Sequence, residues 1–305
     1  MQKYLLLLLL FFQPFSLFAM TSYQGYKTTP SDVYKQLYII NEEIKLLKQF
    51  FRVTTQVKPS KVNIELYSRH MWQKTYEVLI KINLFREKNG LPYIAVSSRE
   101  PRKTPPPIIV YGQVLRILTE LKIIKHALDI PNIEFEEKKF KNIRVVDSFN
   151  FINNISAELD LLLKKSLSPS FVFAQAMRIS EDINAILDAQ NIANNSIPPP
   201  KNKNTTPTES YAAAEQLMTE IVRIQRTTNV NSIDFKELKP NKITAGDVFS
   251  MTGIILAELQ TIKAHLGLKY ALTPVAKHYT NILPADVEQV LGWCVRKMQL
   301  IDFVD

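Results

Sequence analysis

One pattern recurs along this chain: a capped helix start, then apolar residues spaced 4,3,4,3,4, with an acidic residue ten positions after the first of them. It is clearest in TPSDVYKQLYIINEEIKLLKQFF, where Val33, Leu37, Ile40, Ile44, Leu47 and Phe51 form the stripe and Glu43 is the acid. Such spacing puts the stripe at the a and d positions of a heptad, the seam a helix presents to its neighbours. The stripe returns as Val110, Val114, Ile117, Leu121, Ile124, Leu128 and as Val248, Thr252, Ile255, Leu259, Ile262, Leu266, with weaker copies beginning at Ser148, Val172, Ser210 and Val287. The acid recurs as Glu120, Glu158, Asp182, Glu220 and Glu258, and the last copy carries Lys297 in its place. Copies start about 38 residues apart, which is a repeat architecture of helical units.

A larger duplication overlies the small one. A shift of about 139 residues lays PSDVY, from Pro30, on PSFVF, from Pro169, and LRILTELKIIKHAL, from Leu115, on GIILAELQTIKAHL, from Gly253. The pattern therefore predicts an all-α protein of eight long helical units in two tandem four-helix halves, residues 20–166 and 167–305, with a continuous helical solenoid as the alternative. A single amphipathic helix cannot bury its seam alone, so the units must pack on one another.

The helix starts have a local cause. In Thr29-Pro30-Ser31-Asp32 and Thr206-Pro207-Thr208-Glu209 the Thr caps, the Pro suits the first helical position, and the acid three residues on returns a bond to the cap amide. Thr244 with Asp247 repeats the box without proline, and Pro284 with Asp286 retains two of its parts. The connections Val53 to Ser60 and Ser166 to Ser170 read as short, forcing antiparallel neighbours. The others are long enough to run back along a helix of roughly 30 Å, which leaves helix direction open. Ser196 to Pro207, SIPPPKNKNTTP, reads as a mobile polar linker.

Lys3, the apolar run Tyr4 to Phe12 and Ala19 have the layout of a secretory signal over residues 1–19, which predicts an exported protein, periplasmic or secreted. Gln13 and Pro14 interrupt the run short of a membrane span, and no second long apolar run follows, so no transmembrane helix is expected in the mature chain. The single cysteine, Cys294, falls on the last seam and reads as a small apolar core residue.

Charge divides the halves. Met20 to Ser166 carries 24 Lys and Arg against 15 Asp and Glu, while Leu167 onward carries 13 against 14. A one-sided field in an exported chain favours an anionic envelope component or an acidic protein as partner, and not nucleic acid.

Chemistry is poorly signalled. No phosphate-cradling glycine loop, nucleophile elbow, zinc spacing or HExxH is present. The recurring acids invite a two-metal site in a bundle core, but none of His70, His126, His265 and His278 follows a Glu by three residues. The acids fall at g positions beside the seam, where interhelical ion pairs form. No metal, cofactor or catalytic role is therefore expected.

The one departure is Lys61 to Phe85, where the register is ambiguous and Arg69, His70, Trp72, Lys74 and Tyr76 interleave cations with aromatics; the loop beyond it adds Arg99, Arg102 and Lys103. Cations beside aromatic faces suit recognition, so these eight residues are the candidate binding surface. The competing reading packs Trp72 and Tyr76 in the core and leaves the cations in solvent. The function expected from the sequence is a non-enzymatic interaction or scaffold protein whose basic half meets an anionic partner; the alternative is a helical sensor or carrier for a small ligand.

Overall fold

The computed structural model describes residues 27–59, 61–98, 105–136, 138–268 and 271–302. The proposed signal at 1–19 and the candidates Arg99, Arg102 and Lys103 lie outside the described residues. Among those described the protein is all-helical: α1 Pro30–Phe50, α2 Ser68–Lys88, α3 Pro107–Ala127, α4 Val145–Leu163, α5 Pro169–Ala189, α6 Pro207–Thr227, α7 Ala245–His265 and α8 Pro284–Gln299, with a short 3-10 turn at Phe235–Leu238. None of these helices is long and apolar enough to cross a membrane.

The helices start where the caps place them. Asp32, Asp147, Asp247 and Asp286 each accept the backbone N–H three residues before them, at 2.8–2.9 Å. Most ends are equally regular. Arg52, Gly90, Asp129, Asn191, Asn229 and Gly267 all have positive φ. The apolar residue after each of them (Val53, Leu91, Ile130, Ile192, Val230, Leu268) donates its N–H to a carbonyl five residues back. This is a Schellman closure, with the apolar residue tucked against the bundle.

Contacts close each half into a four-helix ring in place of a solenoid. α1 packs on α3 and α4, and α2 packs on the same two, so the ring runs α1, α3, α2, α4; the second half repeats it as α5, α7, α6, α8. Helices consecutive in sequence thus sit across a diagonal in the pairs α1/α2, α3/α4, α5/α6 and α7/α8. Within a half all four helices run the same way. Pro30, Ser68, Pro107 and Val145 line one shared depression, and Pro169, Pro207, Ala245 and Pro284 line another, so four N-termini meet at one end of each bundle. The long connections carry the chain back to that end. The direction left open by the sequence is therefore parallel throughout each half.

Two expectations about connections are corrected. The link from α1 to α2 is not a short turn between antiparallel neighbours: it spans residues 51–67 and returns the chain to the common N-terminal end. Val62, Ile64 and Leu66 alternate inward along it. Asn150 of α4 holds Val62 by both backbone groups at 2.8 Å, so residues read as helix are an extended segment laid on the bundle. The stretch Ser196 to Pro207 is not a free linker either. Gln289, Trp293 and Arg296, spaced 4,3 along α8, donate to the carbonyls of Pro199, Ser196 and Ile197 at 2.9–3.1 Å. Backbone carbonyls in this extended, proline-rich stretch have no helix or sheet partner, and α8 supplies one.

The recurring acid is the fourteenth residue of its helix, and in five of the six helices that carry it the acid meets the nineteenth residue of the next helix in the ring; Glu220 of α6 pairs instead with Arg223 of its own helix and accepts from Gln299 of α8. Glu43 of α1 takes Lys125 of α3 at 2.6 Å, Glu120 of α3 takes Arg86 of α2 at 2.8 Å, and Glu158 of α4 takes Lys48 of α1. In the second half Asp182 of α5 takes Lys263 of α7 at 2.7 Å, and Glu258 of α7 takes the Gln225 amide of α6 at 2.7 Å. Two helices carry a lysine at the fourteenth place. Lys297 of α8 was visible in the repeat; Lys81 of α2 was not, because that helix begins later than its pattern suggested. Each bonds a serine and a second polar side chain on the next helix: Lys81 to Ser156 and Asp160 of α4, Lys297 to Ser180 and Asn184 of α5, at 2.7–2.8 Å. Cys294 is buried as expected, and burial pushes its thiol up to about 12.

Glu43 and Lys125 are essentially inaccessible. Glu43→Ala strands a buried ammonium and is expected to cost about 3–5 kcal/mol in urea unfolding, while Glu43→Met combined with Lys125→Met recovers most of that loss. A double variant no better than the single would show that the pair does not act as a unit.

Candidate functional site

The two halves meet along α2 and α7, and this contact explains the irregularity of the second helix. α2 is flanked by α3 and α4 in its own ring and by α7 from the other half, so it has no solvent stripe: all fourteen residues from His70 to Asn83, polar ones included, are buried. The helices cross antiparallel, with Arg69 near Glu258, Tyr76 against Phe249, and Lys74 bonded to Ser250. Gly253 of α7 faces Gln73 across this contact, where an added Cβ would just touch the Gln73 Cβ at 3.4 Å.

The candidate residues on α2 do not form an exposed surface, and the cations are not in solvent. Arg69 and His70 both engage Glu258, at 2.9 and 2.7 Å. His70 also replaces the usual capping acid of the first turn: its Nδ1 accepts the Tyr67 N–H at 2.9 Å, which assigns the proton to Nε2, the donor to Glu258. Burial holds this imidazole below its ordinary range against the pull of Glu258, so the neutral ring suffices for both bonds. Trp72 is buried and stacks on Tyr76 with ring centroids 6.1 Å apart.

Lys74 turns to another face. It bonds Glu77 at 2.8 Å, and Glu77 accepts from Ser156 and Ser250 at 2.6 Å each, with Lys81 at 3.4 Å. Burial alone would raise the Glu77 carboxyl, but the two ammonium groups bring it down to about 2. Burial pushes Lys74 down and Asp160 up, in each case against an oppositely charged neighbour. Lys74, Glu77 and Lys81 recur at 3,4 spacing, so a polar stripe was legible on α2; its partners Ser156 and Asp160 on α4 and Ser250 on α7 carried no signal. This network walls a cavity of about 220 Å³ on the α4 and α6 side of the α2–α7 contact.

A larger cavity, about 640 Å³, lies on the α5 side. Tyr76, Phe171 and Phe249 supply its inner wall, and the extended stretches 93–98 and 275–281 supply the outer. Those stretches are tied down. The Asn83 side chain holds Ile94 by both backbone groups, at 2.8 and 2.9 Å. The Ser98 Oγ accepts the Ala276 N–H at 2.9 Å, and the buried Arg178 donates to the carbonyls of Pro274 and Ser98. Ser98, Ser170, Gln175, Lys277 and His278 add polar groups, while Tyr93 and Val275 stand exposed on the rim. Of the described candidates, only Tyr76 lines this cavity. Its inner wall comes from α2, α5 and α7, and its outer wall from stretches of the sequence without periodicity.

Among the described residues no group of three or more His, Cys, Asp or Glu is arranged to hold a metal ion. His126 and His265, at nearly equivalent positions of the two halves, are exposed near their helix ends. The chain matches no family model, no curated protein and no solved structure.

The depressed Glu77 sets a pH dependence. A carboxyl held near 2 when folded and in its ordinary range when unfolded contributes stability above about pH 4.5 that is lost as pH falls toward 2. Glu77→Gln is expected to lower stability at pH 7 and to flatten the stability profile between pH 5 and 2, read by urea melts. An unchanged slope would show that Glu77 titrates normally.

Proposed function

We propose that this is an exported, non-catalytic binding protein that holds a small, largely apolar ligand in the aromatic groove between its two bundles. The observation that carries this reading is the 640 Å³ cavity itself, since this space is lined by aromatic rings together with polar groups. Its volume is in the range of roughly 300–1,000 Å³ usual for small-molecule sites, and that mixture of walls is the usual one. The ionic groups elsewhere at the interface support the same reading, because they bond one another and hold the walls in place. Export rests on the N-terminal sequence pattern. The test is a fluorescence titration with 1-anilinonaphthalene-8-sulfonate. Wild type is expected to bind it saturably, and Ala174→Trp, which fills the groove from α5, to lose at least tenfold in affinity with an unchanged circular dichroism spectrum. Equal binding by both proteins would remove the groove as the site.

An anionic envelope or protein partner for the basic half is the second reading. Lys88, Lys164 and Lys165 crowd together where α2 and α4 end, and Lys88 caps the Leu162 carbonyl at 2.8 Å. Burial, then repulsion from the other two, holds its ammonium below the usual range. Lys164→Glu with Lys165→Glu is expected to abolish retention on vesicles containing phosphatidylglycerol, and undiminished retention would count against this surface.

A further inference from the structure

The aromatic groove carries a sign of charge that the ionic groups beside it do not. On α2 each cation at the join meets an acid: Arg69 and His70 take Glu258, Lys74 takes Glu77, and Lys81 takes Asp160. The groove differs. No Asp or Glu stands among the described residues that line it, whereas Lys277 and His278 do, and neither makes a hydrogen bond or ion pair with another described residue. A third cation lies behind this wall. The guanidinium of the buried Arg178 donates to the carbonyls of Ser98 and Pro274 and to Gln175 Oε1. The Asp182 carboxyl feels Arg178 but bonds Lys263 at 2.7 Å and Thr273 at 2.5 Å, so two cations share one carboxylate there.

Lys277 and His278 are exposed, yet the chain on both sides of them is held in place. Before them the Ala276 N–H is fixed by Ser98 Oγ at 2.9 Å, and after them the Tyr279 ring packs edge-on against Phe173 of α5, with centroids 4.9 Å apart. Resting on the aromatic groove as the ligand site, we propose that its occupant is a carboxylate with an aromatic or aliphatic body, the head lying between Lys277 and His278 and the body against Tyr76, Phe171 and Phe249. A carboxylate beside an ammonium at the edge of an apolar groove is held more firmly than the same pair in open water, and its bonds to N–H donors are charge-assisted. A cationic head would meet Lys277 with no counter-charge in the lining and would lose hydration for nothing in return. A neutral body gains the aromatic wall alone.

Isothermal titration calorimetry of the full chain with 2-naphthoate, 2-naphthamide and 2-naphthylmethylammonium tests this, because the three share one ring system and differ in the charge of the head. The naphthoate is expected to bind roughly tenfold tighter than the amide, and the ammonium to bind more weakly than either. Lys277→Gln combined with His278→Gln changes two exposed side chains that bond nothing else described, so the fold is not at stake. This double variant is expected to bring the naphthoate down to the affinity of the amide and to leave the amide unchanged, while Lys277→Arg keeps the preference. Ala174→Trp is expected to weaken the naphthoate and the amide alike, which places both in the groove. Equal affinity for naphthoate and naphthamide in the wild type, or a naphthoate preference that survives in the double variant, would overturn the anionic head and leave the groove as the ligand site. No binding by any of the three, or affinities untouched by Ala174→Trp, would overturn both.

Discussion

The structure depends on buried pairs between the fourteenth residue of one helix and the nineteenth of the next around the ring. Four parallel helices align their dipoles unfavourably and can slide along one another, since a heptad seam alone fits at more than one height. A carboxylate fixed five residues below its partner cation removes that freedom, because any slip leaves two charges buried and apart. Glu43 with Lys125, Glu120 with Arg86 and Asp182 with Lys263 do this in nearly identical geometry. Such pairs add little net stability over apolar residues. What they contribute is one register, and with it a common level for the N-termini and for the returning loops.

Two departures from the ring lie at the join between halves. α2 carries Lys81 where the acid would be, and α7 shares its acid, Glu258, between Gln225 in its own ring and Arg69 and His70 of α2. The same residue that sets register within the second half therefore anchors the first half upon it. Because two bundles touch along a single helix pair, open wedges remain on both sides of the contact. One is closed by charged and amide side chains, the other by aromatic rings and tethered loops, and the proposed ligand groove is the second.

The helices were largely legible in the sequence, and the join was not. Periodicity places α1, α3, α6 and α7 within a few residues, and α1, α6 and α7 also begin at a capping box. α2 was misread at its start because Val62, Ile64 and Leu66 are apolar in an extended segment, and because a helix buried on all sides has no single stripe. Arg69, His70 and Lys74 stood out for their charge, yet their partners Glu258, Glu77 and Ser250 were ordinary members of helical patterns. Helix direction was not encoded locally at all: the long loops allow either sense, and the choice is made by ion pairs between residues more than thirty positions apart in sequence.

The parallel arrangement is the claim on which register, join and cavities all rest, and a distance across one diagonal tests it. Spin labels on cysteines placed at Ser168 and Thr208 sit at the starts of α5 and α6, and the buried Cys294, with its thiol pushed up to about 12, does not compete for label. Parallel helices on opposite corners of a bundle place the labels under about 25 Å apart in a dipolar distance measurement. A distribution centred beyond about 30 Å, the length of one helix, would mean that the two run in opposite directions and would contradict the account.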